Sequence, residues 1–564
     1  MFRTEKPWAR VYKGHTSPET EIYEGSLVDF FRSSVEEHRD KTAITFYGAA
    51  FDFARLEGLS EKMAASLAAR GVKKGDRVAL MLPNCPQYVI SFFATVRLGA
   101  IVTQLNPMYV EREIEHILRD SGAGTIFVYS AAYQRVKNVV ANTALDNMIV
   151  VGFGGEPEGL TSGHMSFGEI LAMEAEPAPE VHVIPEEDAA ALQYTGGTTG
   201  VSKGAILTHR NLVANVQQTL DLFVDDPAAF SNNQKIVSVL PFFHIYGFTC
   251  AMLFGIRQGL NQLVLPRFDI REVLELVRDE RPTMFAGVPT MHMALLSSGV
   301  DLKEYGFDRV RTYSSGGAPL PVNLKRDFEE KTGRPLFEGY GLSEASPVTH
   351  FNPPFAGWGR EGSIGVPVPS TDARIADIAT GEQEMPIGES GELVIKGPQV
   401  MKGYWKMPEE TRNTLRDGWL YTGDIARMDE DGYFYIVDRK KDMIAASGYN
   451  VYPREVEEVL FEHSGVAEAV AVGIPNEYRG ETIKAFVVKN TGSEITEEEI
   501  LAFCKERLAS YKTPKSVEFR DELPKSTVGK ILRRVLADEE QMKTGATVEA
   551  DLESSPRRPR ARPT

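Results

Sequence analysis

The feature that most constrains the fold is a strand–helix alternation that begins in the first third of the chain. Residues 77–82 (Arg-Val-Ala-Leu-Met-Leu) form a short apolar run between Gly75-Asp76 and Pro83. A helix is predicted next, with Pro86 in its first turn and Val89, Phe92, Phe93 and Val96 on one face at the i, i+3, i+4, i+7 spacing. Gly99 stops it, and Ala100-Ile101-Val102 opens another strand. Apolar runs at 125–128, 148–151, 236–240, 262–265 and 284–288 read as further buried strands, several with amphipathic helices between them. That alternation predicts α/β layers with largely parallel sheets.

At 564 residues the chain is too long for one core, since single cores stop growing at about 250–300 residues. After Gly388 the texture changes to short strands and turns, at 391–395 and 432–437. A charged segment, Asp438-Arg439-Lys440-Lys441-Asp442, follows. Beyond it comes a βα-like pattern with strands at 469–472 and 483–488 and a helix at 497–508. We therefore expect a large N-terminal domain over 1–438, a linker at 439–441 and a small domain over 442–542. The remainder, 543–564, is polar, with Pro556, Pro559, Pro563 and four arginines (Arg557, Arg558, Arg560, Arg562), and reads as a disordered tail.

The net charge of −17 argues against broad electrostatic binding to nucleic acid. Any polyanionic ligand must then meet locally placed Lys, Arg or backbone N–H groups. Cys85, Cys250 and Cys504 lie far apart, have no metal-ligand spacing, and read as small buried hydrophobes in a reducing compartment. No run approaches the ~18 apolar residues that span a bilayer. The start, Met1-Phe2-Arg3-Thr4-Glu5-Lys6, lacks the apolar stretch of a secretory signal.

The most informative stretch is Tyr194-Thr195-Gly196-Gly197-Thr198-Thr199-Gly200-Val201-Ser202-Lys203-Gly204. Its glycines let the backbone turn tightly and present N–H groups to phosphate oxygens. Thr195, Thr198, Thr199 and Ser202 add hydroxyls, and Lys203 adds a positive charge. The order differs from G-x-x-x-x-G-K-[ST], because Lys203 follows Ser202 rather than a glycine. Taken alone, such a string is either a phosphate loop of another kind or a surface turn rich in small polar residues.

The full eleven-residue string resembles the signature loop of the adenylate-forming superfamily, which includes acyl-CoA synthetases, aryl-CoA ligases, luciferases and peptide-synthetase adenylation domains. Further segments resemble that family's motifs in order. Pro241-Phe242-Phe243-His244 is similar to the aromatic-histidine segment lining the acid pocket, and the resemblance places His244 near the acid carboxylate and the phosphates. Ser314-Ser315-Gly316-Gly317-Ala318-Pro319-Leu320 resembles the floor under adenine. Glu338-Gly339-Tyr340-Gly341-Leu342-Ser343-Glu344 resembles the next station. There the resemblance implies Tyr340 on the adenine, the Ser343 hydroxyl at the α-phosphate and Glu344, with Thr195, on Mg²⁺. Serine stands where the family usually has threonine and keeps the hydroxyl.

Tyr421-Thr422-Gly423-Asp424 resembles the ribose station, with Ile436 and Arg439 as further nucleotide contacts and Lys441 as the hinge residue. Ser447-Gly448-Tyr449-Asn450 resembles the part that faces coenzyme A, and Gly529-Lys530 a turn carrying the mobile lysine of adenylation. The resemblance runs from about residue 25 to 540. It implies stacked α/β sheets with a small barrel-like subdomain, followed by a small mobile α+β domain. The implied catalytic set is Lys530, Glu344, His244, Thr195 and Lys203; the implied cofactors are ATP, Mg²⁺ and coenzyme A as co-substrate.

The implied reaction has two steps. A carboxylate attacks the α-phosphorus of ATP and expels pyrophosphate, and a thiol then attacks the acyl-adenylate. Two anions must meet in the first step, so charge neutralisation and alignment carry it. Within the superfamily, Met401-Lys402-Gly403-Tyr404-Trp405 and the 338–347 and 438–453 strings resemble bacterial long- or medium-chain fatty acyl-CoA synthetases. Pocket depth is assigned to Phe243, His244, Phe248, Gly316, Gly341 and Val348, with Phe248 read as either an aromatic gate or a core residue. The alternatives are an aryl- or arylpropenoate-CoA ligase, and a non-catalytic acyl or nucleotide sensor on the same fold. The expected setting is cytoplasmic, with a fatty acid as partner, transient contact at a membrane surface and a homodimer.

Overall fold

The structure, a computed structural model, describes residues 6–155, 157–195, 202–223, 234–355, 357–446, 449–476, 480–526, 529–540 and 542–543. The chain divides into two compact units, one of residues 1–422 with 427–435, the other of residues 423–426 with 436–564.

Two large sheets organise the first unit. Among the described residues one has eight strands, in the order Gly403–Tyr404, Lys203–Thr208, Ala189–Thr195, Ile101–Gln104, Arg77–Met81, Thr125–Tyr129, Asn147–Val151, Met165–Ser166. The run at 77–82 is its centre, paired in parallel on both sides. Only the two pairings at one edge, both made by Lys203–Thr208, are antiparallel. The other large sheet has nine strands, with a parallel middle formed by Thr42–Phe46, Asn261–Val264, Lys235–Ser238, Met284–Gly287, Thr312–Ser315 and Leu336–Gly341. Strands buried on both faces are what parallel α/β sheets require, and the continuous apolar runs supply them.

The predicted helix forms over Pro86–Arg97 with Pro86 at its first position, where a missing N–H costs no hydrogen bond. The run at 236–240 ends as a strand at Ser238. The fully buried Asn84 explains why: its amide donates to the Ser238 and Leu240 carbonyls at 3.1 and 2.8 Å, and its oxygen accepts from Phe242 N at 2.7 Å. The chain is thereby lifted off the sheet just before His244.

A five-stranded sheet follows, built from Asp372–Ala376, Gly391–Lys396, Leu415–Arg416, Trp419–Met428 and Phe434–Arg439. The run predicted at 432–437 starts as a strand only at Phe434, because Gly432 occupies the left-handed region at φ +85°. In the second unit the long antiparallel pair Val466–Asn476 and Gly480–Lys489 packs on the helices Pro453–Phe461 and Glu497–Arg507. Its apolar core includes Val456, Leu460, Ala471, Ala485, Ile500 and Cys504.

Candidate active site

In the first unit the strands Ala189–Thr195 and Lys203–Thr208 pair antiparallel, with Thr195 opposite Lys203. Residues 196–201, including the predicted phosphate contacts Gly196, Gly197, Thr198, Thr199 and Gly200, lie outside the described residues. The stem that presents them is closed by the Ser202 hydroxyl, which donates to the Thr195 carbonyl at 2.8 Å. The Lys203 ammonium is ion-paired with Glu410 and lies 5.4 Å from the centre of the Tyr404 ring.

Tyr404 in turn donates its hydroxyl to Glu344 Oε1 at 2.8 Å. Burial, and then the neighbouring Glu344 carboxylate, push the Tyr404 phenol far above its usual range, so it stays a donor. The short strand Gly403–Tyr404 holds this arrangement by pairing with Lys203–Thr208, and Met401 N donates to the Glu344 carbonyl at 2.8 Å. The loop lysine and the predicted metal-binding carboxylate are thus joined through one tyrosine.

The strand Thr312–Ser315 leads into Gly316-Gly317, where Gly317 takes φ +77°. A Cβ on Gly316 would lie 3.3 Å from both the Gly339 carbonyl and the Tyr246 ring, a tight fit that favours glycine there. Tyr246 is held by its hydroxyl, 3.2 Å from Ser314 Oγ. Glu338 is buried, and its carboxylate accepts from Leu320 N at 3.2 Å, tying down the turn that contains Ala318 and Pro319. Gly341 passes so close to Pro347 that a Cβ would sit 2.2 Å from its carbonyl oxygen. Ser343 and Glu344 stand on the turn Ser343–Ala345, and the Tyr340 ring is 6.0 Å from that of His350.

His244 precedes the helix Ile245–Gly247, and its Nδ1 accepts from Tyr246 N at 3.3 Å. The segment before it is fixed by Asn84, by the Tyr88 hydroxyl donating to the Phe242 carbonyl at 2.9 Å, and by Gln193 Nε2 donating to the Phe243 carbonyl at 3.1 Å. Phe248 is fully buried and packs edge-on against Phe92, ring centres 4.9 Å apart. It also opens a π-helical stretch, Phe248–Leu253, a form common near functional sites. Val348 is buried, its N–H and carbonyl both read by the Asn215 amide at 2.9 and 2.7 Å.

Asn215 belongs to a row that the sequence reading missed. From the helix His209–Asp221, Asn211 donates to the Pro398 and Val400 carbonyls and Gln218 to that of Pro369, all within 2.9 Å. The signal is an i, i+4, i+7 stripe of amides where an apolar stripe would be expected, and it pins the segments that carry Val348 and Tyr404.

The second unit holds the other stations. Asp424 is buried, and its Oδ1 lies 3.2 Å from Arg439 Nε. Lys440 N donates to the Gly423 carbonyl at 2.9 Å, and Arg454 donates to that of Ile436 at 3.0 Å. Desolvation and then Arg439 lower the ammonium of Lys441. Lys530 sits on a turn closed by Gly529 N to the Ser526 carbonyl at 2.9 Å, with Gly529 at φ +72°. Its ammonium is pushed down to about 7, by burial first and then by Arg439, against the opposing pull of Asp424. Lys530, Asp424, Arg439 and Lys441 therefore share one electrostatic environment. Of the coenzyme A segment, Gly448 lies outside the described residues and Tyr449 lies in the strand Tyr449–Val451.

No group of three His, Cys, Asp or Glu side chains that could hold a metal occurs among the described residues. Burial pushes the thiols of Cys85 and Cys250 up to about 12 and that of Cys504 to about 11, which removes them as nucleophiles near neutral pH. Among the described residues no helix is long and apolar enough to cross a membrane.

The glycine-rich string ending at Lys203, the turn at Gly316-Gly317 and the Glu344 carboxylate, set on α/β sheets, suit an enzyme that binds a nucleotide. The chain belongs to the AMP-binding enzyme family: that model matches residues 31–405, and the model of the family's C-terminal domain matches residues 455–530. It is similar to a long-chain-fatty-acid–CoA ligase of Bacillus subtilis, 44% identical over 561 residues, covering 96% of this chain and 99% of the relative. A namesake from Escherichia coli is 42% identical, with coverage of 91% and 94%. Among solved structures, ATP-bound MatB from Rhodopseudomonas palustris aligns with a TM-score of 0.82 at 32% identity, covering 91% of this chain and 99% of that one.

Proposed function

We propose that this chain is an AMP-forming fatty acid–CoA ligase that takes a long- or medium-chain acid. The observation that carries the reading is its 44% identity, over nearly the full length of both chains, to a long-chain-fatty-acid–CoA ligase. The site chemistry agrees with it. In the first step a carboxylate oxygen bonds to the α-phosphorus of ATP while the bond to pyrophosphate breaks. In the second, the sulfur of coenzyme A attacks the acyl carbonyl, its proton is lost, and AMP leaves.

The residues divide this work. Thr195, Ser202 and Lys203 face the phosphates, with Lys203 exchanging Glu410 for a phosphate oxygen. Gly316, Gly317, Gly339 and Tyr340 receive the adenine, Ser343 the α-phosphate, and Asp424 with Arg439 the ribose. His244, Phe243 and Val348 line the acid side. Glu344 is one oriented carboxylate with no acidic cluster around it among the described residues. That would suit Mg²⁺ arriving on ATP, a hard cation that prefers oxygen donors. Glu344 and Thr195 would hold the ion, which neutralises phosphate charge when bound. Lys530 bridges the carboxylate and the α-phosphate, and movement about 439–441 withdraws it before Gly448 and Tyr449 face coenzyme A.

Pyrophosphate release measured over fatty, aryl and amino acids, with and without coenzyme A, tests the reading. Long or medium fatty acids should release pyrophosphate and form thioester only with coenzyme A. Preference for flat aryl acids, or release without any thioester, would contradict it. A cytoplasmic setting, a dimer through the first unit and transient contact with a membrane surface complete the proposal; sedimentation and vesicle flotation check the last two.

A further inference from the structure

The turn that carries Lys530 is closed on itself. Ser526 N donates to the Lys530 carbonyl at 2.8 Å, Lys525 pairs with Ile531, and Leu532 N donates to the Pro524 carbonyl at 2.8 Å. None of these bonds reaches the segment that carries Arg439 and Lys441. Arg533, three residues after Lys530, does reach it. One guanidinium nitrogen lies 3.6 Å from Asp438 Oδ1 and 3.1 Å from Asp442 Oδ2, and the other lies 2.6 Å from Glu457 Oε1. Asp438 and Asp442 stand immediately before and after 439–441.

Each carboxylate is itself anchored or placed. Asp438, 3% exposed in its side chain, accepts from Arg439 N at 2.7 Å and, through its second oxygen, from Arg454 N at 2.8 Å in the first turn of Pro453–Phe461. Glu457 also accepts from Ala471 N at 2.9 Å. The guanidinium is thus the shared node of the Lys530 turn, both ends of 439–441, a helix and the strand Val466–Asn476. Its planar fork engages several oxygens in fixed directions, which a lysine ammonium cannot reproduce.

Resting on the ligase reading above, we propose that Arg533 is a positioning residue for Lys530, tying its turn to Asp438 and Asp442 so that the lysine faces the reacting phosphate during adenylation. Asp438, Asp442, Arg454, Glu457 and Arg533 all belong to the second unit, so the tie holds the Lys530 turn to its own unit. The alternative is a cluster that only holds the small unit together, and such a role would weaken both half-reactions alike.

The test uses the full-length enzyme with Arg533→Lys and the milder Asp442→Asn, each checked by thermal melting. Adenylation is followed by ATP–pyrophosphate exchange, and transfer by thioester formation from synthetic acyl-AMP. We expect Arg533→Lys to lower kcat for exchange by about tenfold, a cost typical of lost alignment, with KM for ATP within about twofold. Asp442→Asn should lower it about threefold, and transfer should stay at the wild-type rate in both. Proportional loss of both half-reactions, unchanged exchange in a folded Arg533→Lys, or an unfolded Arg533→Lys beside a wild-type Asp442→Asn would overturn the proposal. If the wild-type enzyme itself makes no acyl-adenylate from fatty acids, the ligase reading fails instead.

Discussion

Two lysines assigned to phosphate chemistry meet opposite surroundings in this molecule. Lys203, at the stem of the glycine loop, already has a carboxylate partner in Glu410 and an aromatic face in Tyr404. Lys530, in the other unit, stands among Arg439, Lys441, Asp424 and Asp442, and its ammonium is depressed to about 7. The first lysine can exchange one anion, Glu410, for another. At the second, burial and the cations Arg439 and Lys441 outweigh Asp424 and Asp442, so an arriving anion would tip the balance toward the charged form. One environment suits standing electrostatic binding, the other a cation called up at the reacting phosphate.

The two lysines should differ most when Lys530 is removed. Lys530→Ala should lower adenylation by about 10²–10³-fold, the size expected for losing a preorganised charge at the transition state. Thioester formation from preformed acyl-AMP should be largely spared; equal loss of both half-reactions in stopped assays would contradict the division of labour. Next in size is Lys441→Pro, which fixes φ at 441 and restricts Lys440 as well. Adenylation should persist while transfer to the thiol falls by about 10²-fold, as for a blocked conformational step. Normal overall ligation in that variant would remove 441 from the hinge.

A subtler difference lies in protons. At pH 8 a group with pKa about 7 is mostly neutral, and a bound polyanion raises its pKa. ATP binding should therefore take up as much as about one proton at pH 8 and almost none at pH 6, where Lys530 is already charged. Calorimetry in buffers of different ionisation enthalpy reads this, and Lys530→Met should abolish it. The smallest effect is expected at Glu410→Gln, which frees Lys203. Half-exposed ion pairs are worth little, so KM for ATP should fall only about two- to threefold. A large rise would make Glu410 part of the binding site rather than a placeholder.

Much of this was legible in the sequence because it rests on local signals. The runs at 77–82, 125–128 and 148–151 became adjacent parallel strands, since an apolar run flanked by turn residues carries its own instructions. The segments from 314 to 344 lie at strand ends and turns, and at Gly341 contact with the Pro347 carbonyl requires glycine. What escaped was long-range. Nothing near Tyr404 announces that its hydroxyl will meet Glu344, sixty residues earlier in the chain. The amides of Asn84, Asn211 and Asn215 read as ordinary polar residues until the backbone groups they satisfy are brought beside them. Arg533 belongs to the same class, because its three carboxylates come from 438, 442 and 457.

Direct attack of the acid on the α-phosphorus fixes where each carboxylate oxygen ends. It is tested most directly by following oxygen from a fatty acid labelled with ¹⁸O in its carboxylate through one turnover with ATP and coenzyme A. Attack at the α-phosphorus leaves one carboxylate oxygen on AMP, so mass spectrometry should find a single ¹⁸O in AMP and none in pyrophosphate. Unlabelled AMP, or label in orthophosphate beside ADP, would contradict the account.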